Sequence, residues 1–251
     1  MKDADLVGGF AKGLRVIEAF GENNPRLSIA DVSRLTAMDR ATTRRCLLTL
    51  TALGYADYDG KFFSLTPRIL RLGHSYLSAT PLPKIIQPYL DQLCETVGQS
   101  ASASVLDGTD IVYIARASQR RVMSISLMAG SRLPAYCASM GRVLLAALPE
   151  QEALERLHHS ELRAWTRYTK VDPNQLSDEL KRVREQGFAV IDQELELGLC
   201  SIAVPLINAR NATVAAINIG APAAQITASD LPVHFLEPLQ DVAASLRPML
   251  G

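Results

Sequence analysis

Between Leu27 and Phe63 the apolar positions change their period twice. Ile29, Val32 and Leu35 recur three apart, which predicts a short helix, and Ser28 just before them is a preferred N-cap. Thr36-Ala37-Met38 reads as a tight link, after which Asp39 caps a second helix that starts at Arg40 and ends near Gly54. Residues 55–58 and 61–65 are strand-like runs joined at Asp59-Gly60, a strong hairpin signal. Helix, turn, helix and hairpin in that order predict a winged helix-turn-helix, whose second helix is built to enter the major groove of DNA.

The same reading extends over the rest of the chain. Phe10, Leu14 and Ile17 predict a helix over residues 10–21. Thr66 and Pro67 open a helix over 68–79 with Ile69, Leu72 and Tyr76 on one face. Thr80-Pro81-Leu82-Pro83 breaks it and marks a boundary. Beyond it the pattern predicts helices over 84–97, 139–148, 151–158, 176–186 and 231–250. Strands are predicted over 101–106, 111–115, 123–127, 188–193, 201–207 and 213–219. The fold class is α+β. Residues 1–66 form the winged helix-turn-helix, 67–80 a connecting helix, and 81–251 a sensor-like domain of flanking helices on a mostly antiparallel sheet.

Composition narrows the class. A chain with 48% hydrophobic and 21% charged residues is an ordinary globular one. No apolar run approaches the ~20 residues a membrane span needs, and the start lacks the layout of a signal peptide, so the expected location is the cytoplasm, with no membrane partner. Cys46, Cys94, Cys137 and Cys200 form no CxxC pair and read as reduced thiols. His74, His158, His159 and His234 lack metal-ligand spacing, and neither a metal nor another cofactor is expected. Net charge is zero, which argues against a nucleic-acid partner until its distribution is considered. Residues 1–80 carry 11 Lys and Arg against 8 Asp and Glu; the remainder carries 15 against 18. The basic share accompanies the helix-turn-helix, where a local patch can steer the protein to phosphates.

Winding residues 40–53 at about 100° per residue puts Cys46, Leu47, Leu50 and Leu53 on a core face with Thr43 beside them. Ala41, Arg44 and Arg45 point the other way, with Arg40 and Thr42 on the flanks. Arginine can fork onto guanine or clamp a phosphate, and threonine can touch a thymine methyl. Lys61 on the hairpin, Arg26, and Ser28 at the first reading helix complete the expected DNA-contacting set. A solvated helix face is the plainer reading of any one arginine; three within six residues behind this turn favour DNA.

Two stretches invite an enzyme reading instead. Asp192, Glu194 and Glu196 would share one face of a strand, and Cys200-Ser201 could supply a nucleophile. A charged rim and a packed thiol are the readings we favour, because no His or Asp stands in an activating motif. No catalytic residue is therefore expected.

In the first domain, residues 36–45 and the runs Leu50-x-x-Leu53-Gly54-Tyr55 and Phe63-Ser64-Leu65-Thr66-Pro67-Arg68 resemble the IclR family of bacterial transcriptional regulators. In the second, Leu133-Pro134-Ala135-Tyr136-Cys137-Ala138-Ser139-Met140-Gly141-Arg142 and residues 194–205 carry the same resemblance. Within the family, residues 115–123 and 133–137 are similar to regulators of aromatic-acid breakdown in the β-ketoadipate (protocatechuate) pathway. The family often has Gly where Ala37 stands and an apolar residue where Thr43 stands.

The resemblance implies a homodimer or dimer of dimers on a double-stranded DNA operator, and a GAF-like effector-binding domain at the carboxy terminus. It implies a small carboxylate effector of the hydroxybenzoate, protocatechuate or β-ketoadipate class, and activation more often than repression. The family's pocket, carried over by position, implies Val122, Ile125, Ser139, Met140, Leu199, Ser201, Asn218 and Gly220 as its lining. A helix amino terminus near Ser139 would favour an anion, and Arg116, Arg120 and Arg121 are candidate clamps for a carboxylate. An enzyme acting on a small acid and fused to a DNA-binding domain, and a DNA-binding protein without a ligand, are the alternatives.

Overall fold

The computed structural model describes residues 6–21, 23–118 and 127–251, which fall into two compact units, Met1–Ala79 and Thr80–Gly251.

In the first unit three helices, α1 (Gly8–Glu18), α2 (Ile29–Thr36) and α3 (Arg40–Ala52), precede the hairpin β1 (Ala56–Tyr58) and β2 (Phe63–Leu65). Local chemistry fixes the ends of α2 and α3. The Ser28 hydroxyl accepts the Asp31 N–H while the Asp31 carboxylate accepts the Ser28 N–H, a capping box that closes the start of α2. Asp39 accepts the Thr42 N–H at 2.8 Å and starts α3. Ala37 between them sits at φ 54°, the left-handed region that turns the chain. Val16, Leu27, Val32, Leu47, Leu50 and Phe63 form the core.

Three details depart from the periodicity. Phe10 and Leu14 are 69% and 40% exposed, and Val16 is the buried residue of α1. Leu53 lies past the end of α3 and is 54% exposed rather than in the core. The helix expected from residue 68 begins with a 3-10 turn, Pro67–Ile69, before α4 (Leu70–Ala79), where Leu72 and Tyr76 remain exposed.

The second unit is a six-stranded sheet in the order β5-β4-β3-β8-β7-β6, every pair antiparallel. Its strands are β3 (Ser100–Asp107), β4 (Asp110–Ala117), β5 (Arg132–Pro134), β6 (Ala189–Asp192), β7 (Leu199–Ile207) and β8 (Thr213–Pro222). Helices α5 (Leu82–Val97) and α9 (Leu231–Leu246) cover one face through Ile86, Leu90, Ile202, Ile217, Ile219 and Leu239. On the other face lie α6 (Ser139–Ala146), α7 (Glu150–His159) and α8 (Pro173–Gln186), packed through Met140, Leu144, Leu157, Leu176 and Leu180. The α+β reading is thus borne out. The strand expected at 123–127 lies outside the described residues except for Leu127, which is buried but not in a strand; β5 was not anticipated.

Candidate functional sites

On the first unit, Ser28, Ile29, Ala30, Arg40, Ala41, Arg44, Tyr58, Gly60 and Lys61 line one groove between the start of α2, the exposed side of α3 and the hairpin tip. Five of the eight residues expected to contact DNA therefore share a surface. Arg26 is beside the hairpin, ion-paired with Asp59 and stacked over Phe62, which also carries the Lys61 ammonium 5.0 Å from its ring centre. Thr42 and Arg45 turn to the α1 side of α3, with Lys12 in the same groove. Thr42 is buried, and its hydroxyl already accepts a hydrogen bond from Arg45 at 3.3 Å. The Ser28 hydroxyl is likewise committed to Asp31. Tyr58 was missed by the sequence reading. It stacks on Phe63 at 4.3 Å and anchors the hairpin by donating to the Gly60 carbonyl.

The second unit holds a cavity between the sheet and α6. Ser139, Met140, Leu199, Ser201, Asn218 and Gly220 all line it, as do Arg116, Ser100, Ser102, Tyr113, Cys137, Ile191 and Leu195. Val122, Ile125, Arg120 and Arg121 lie outside the described residues. Register explains the gathering. Ser102 is paired with Arg116 on β4 and Asn218 on β8, while Gly220 is paired with Ser100 on β3 and Ser201 on β7. Directly opposed residues share a face, so two adjacent rungs of the sheet present these groups together. The alternation Ser100-Ala101-Ser102-Ala103-Ser104 could have revealed the β3 part: its alanines pack under α5 and its serines face the cavity side.

Polar groups in the cavity are partly bonded to one another. Arg116 donates to Ser102 at 3.0 Å, and its backbone is held on both sides by the Gln87 amide. Ser201 donates to Ser139 at 2.9 Å. Asn218 Oδ1 is buried with no hydrogen-bond partner among the described residues, and an orphaned acceptor of this kind costs about 1–3 kcal/mol unless a donor reaches it. The α6 amino terminus carries no side-chain cap, and its first residues, Ser139 and Met140, line the cavity, which brings the positive end of the helix dipole to the cavity wall. The open volume is about 40 Å³, on the order of three waters. Met140, whose sulfur lies 3.3 Å from the Ser104 hydroxyl, takes up much of the remaining wall.

The groups that invited an enzyme reading are placed otherwise. β6 stops at Asp192 and residues 193–198 turn, so the three acidic residues do not alternate along a strand. Glu194 is buried against Arg142. Burial, with the Asp192 carboxylate 3.2 Å away, pushes the Cys200 thiol up to about 12. Burial first, and Glu194 second, do the same to Cys137. Both thiols are therefore neutral and poor nucleophiles at neutral pH. Burial also raises Tyr113 to about 12, leaving a neutral phenol in the cavity wall.

Both units have relatives among known proteins. Residues 10–60 match the IclR helix-turn-helix domain and residues 74–247 match the bacterial transcriptional regulator IclR C-terminal domain. The Pca regulon regulatory protein of Pseudomonas putida is 47% identical over 93% of this chain and 81% of its own length. The p-hydroxybenzoate hydroxylase transcriptional activator of Acinetobacter baylyi is 36% identical over all of this chain and 94% of its own. The inducer-binding domain of a PobR double mutant from Acinetobacter, solved with 3-hydroxybenzoic acid, superposes with a TM-score of 0.63 at 32% identity, covering 67% of this chain and 98% of that one. With both domain matches in sequence order and the C-terminal one alone spanning more than half of its length, the chain belongs to the IclR family of bacterial transcriptional regulators.

Proposed function

We propose that this regulator binds an operator through the α3 groove and that a small aromatic acid, or a β-ketoadipate-pathway acid, in the sheet cavity controls its activity. The observation that carries the reading is the cavity's chemistry. Arg116 offers a cation to a carboxylate, Ser139, Ser201 and Asn218 offer hydrogen bonds, and Met140, Leu199 and Leu195 supply apolar wall. The related inducer-binding domain in complex with 3-hydroxybenzoic acid supports the same ligand class. On the DNA side, Arg40, Arg44 and Lys61 meet phosphates and base edges, with Arg45 and Arg26 at the flanks. Arg44, at the centre of the groove, is the base-reading candidate.

We further propose a homodimer acting in the cytoplasm without catalysing a reaction. Leu6, Val7, Phe10 and Leu14 at α1 and Leu70, Leu72 and Tyr76 at α4 are exposed in a single chain. Such apolar surface is the usual mark of a protein interface. A dimer presents two recognition helices to two half-sites, and effector binding shifts the population between two arrangements of them. A coupling of ~1–3 kcal/mol is enough for a useful switch. The A. baylyi relative, a p-hydroxybenzoate hydroxylase transcriptional activator, supports activation ahead of repression.

One observation favours a second reading. The open volume holds only on the order of three waters, as in a binder without a ligand. Calorimetric titration of the full-length protein with 4-hydroxybenzoate, protocatechuate and β-ketoadipate separates the two. The effector reading predicts saturable one-site binding of at least one acid, and heat of dilution alone with all three sinks it.

A further inference from the structure

Arg142 is 1% exposed, a full charge inside the second unit. Such a charge is costly unless it is paired and hydrogen-bonded. Its Nε donates to the Tyr136 carbonyl at 3.0 Å, Nη2 donates to Glu194 at 2.7 Å, and Nη1 lies 3.5 Å from Glu179. Glu194, itself 3% exposed, also accepts the backbone N–H of Lys170 at 3.0 Å. Glu179 is held in turn by the Lys170 ammonium at 2.7 Å and by Arg182. Burial alone would raise the Glu179 carboxyl, but Lys170, Arg142 and Arg182 outweigh it and hold it below its ordinary range. Glu179 therefore stays ionised at neutral pH.

What the cluster joins gives it a role. Ser139 and Met140 line the cavity at the start of α6, and Arg142 follows on the same helix. Glu194 stands beside Leu195, which lines the cavity from the 193–198 turn, and the turn leads to Leu199, which lines it too. Tyr136 precedes Cys137, a further wall residue. One guanidinium thus fastens three pieces of the same wall.

The pieces are not held alike. The strands and α6 are tied by backbone ladders. The 193–198 turn is closed on itself, Gln193 accepting the Gly198 N–H at 2.9 Å. Side chains tie its first half to the surroundings, Arg142 to Glu194, Thr169 to the Glu194 carbonyl and Thr166 to the Gln193 carbonyl, while backbone N–H groups reach it from Lys170 to the Glu194 carboxylate and from Ala223 to the Gly198 carbonyl. The open volume, on the order of three waters, leaves little room between the wall side chains, and the 193–198 turn is the part of that wall fastened by the Arg142–Glu194 pair.

We propose that the Arg142–Glu194 pair is a latch on the 193–198 turn: its release opens the cavity to the acid and its closure traps the acid against α6. The proposal rests on reading the cavity as the effector site. Arg142 and Glu194 do not line the cavity, so they are positioning residues that act through Leu195, Ser139 and Met140.

The test uses the buried cysteines of the full-length protein. Cys137 is in the cavity wall, whereas Cys94 packs under the opposite face of the sheet. Glu194→Gln keeps the shape of the side chain and weakens its pairing with Arg142. Labelling with N-ethylmaleimide, read site by site by mass spectrometry and compared at equal thiolate fraction from the pH profile of each site, since Glu194 also raises the Cys137 thiol, is expected to speed up at least tenfold at Cys137 and to stay within twofold at Cys94. Equal rates at Cys137 in the two proteins, or equal acceleration at both cysteines, would overturn the latch. Amide exchange on the unaltered protein tests the same idea without a variant. Residues 193–198 are expected to exchange faster than α6 and to slow down when 4-hydroxybenzoate is added; exchange as slow as in α6 overturns the proposal. Fast exchange that none of the three acids slows would count against the effector reading and leave the latch standing.

Discussion

Gly141 and Ala37 show how far single positions decide this structure. A Cβ on Gly141 would lie 2.2 Å from the Ala135 carbonyl oxygen, so α6 reaches the turn before it only because this residue has no side chain. Gly141→Ala is expected to destabilise the second unit by about 2 kcal/mol or more, by overpacking against backbone that cannot yield; an unchanged urea midpoint would refute this. Ala37 is the converse case. Its φ of 54° suits glycine, which many family members carry here by resemblance. Ala37→Gly should stabilise the first unit by roughly 0.5–1 kcal/mol, the relieved strain being partly offset by unfolded-state entropy, and denaturation of the variant measures the sign. At this scale the sequence was informative where a residue has one strong local role, as at the Ser28 and Asp39 caps. It was silent on Arg142. A buried arginine looks like any other until its carboxylate partners, Glu179 and Glu194, are brought to it by separate elements.

Among the elements, α3 and the hairpin do the reading of DNA in this account. Arg44 shares its groove with Arg40 and Lys61. Arg44→Ala is expected to weaken operator binding, by ~1–3 kcal/mol if it reads a base, while acid binding is untouched. Equal operator affinity at fixed salt would contradict the proposed orientation. The caps of this unit also predict its response to acid. Hydrogen bonds lower the Asp39 carboxyl, the Thr42 N–H most strongly, and they lower Asp31 through Ser28 and Asp59 through the Phe62 N–H. Groups with depressed folded values contribute stability above the ordinary value of 3.8 and lose it as the pH falls through the folded value. The denaturation midpoint of the first unit should therefore drop between pH 5 and pH 3, approximately, and Asp39→Asn should flatten that drop. Helical and strand periods made these elements legible in advance. The period located α1 but not its buried side: Phe10 and Leu14, which carried the period, are exposed, and Val16 is buried. It also failed at 193–198, where the alternation of Asp192, Glu194 and Glu196 imitates a strand but the backbone turns at Gln193, φ 55°.

For the whole molecule, the proposed reading divides the labour between the two units, the first meeting DNA and the second holding a small acid. The cavity depends on strand register, with Ser102, Arg116 and Asn218 on one rung and Ser100, Gly220 and Ser201 on the next. The Ser-Ala alternation of β3 hints at one strand of it, but no local pattern contains the cross-strand register; the resemblance supplied Ser139, Ser201 and Asn218, and the sheet added Ser100, Ser102 and Tyr113. If the exposed apolar residues of α1 and α4 mediate a dimer, Phe10→Glu with Leu14→Glu should shift the protein to a monomer in sedimentation and lower operator affinity steeply. The central claim is that a small acid acts through this cavity, and thermal melting of the full-length protein tests it most directly. With 4-hydroxybenzoate, protocatechuate or β-ketoadipate at a hundred times its dissociation constant, mass action stabilises the folded state by about 2.7 kcal/mol. The account predicts a clear rise in melting temperature with at least one of these acids and none for Ser201→Leu, which fills the cavity. No rise with any of them, or the same rise in both proteins, would contradict it.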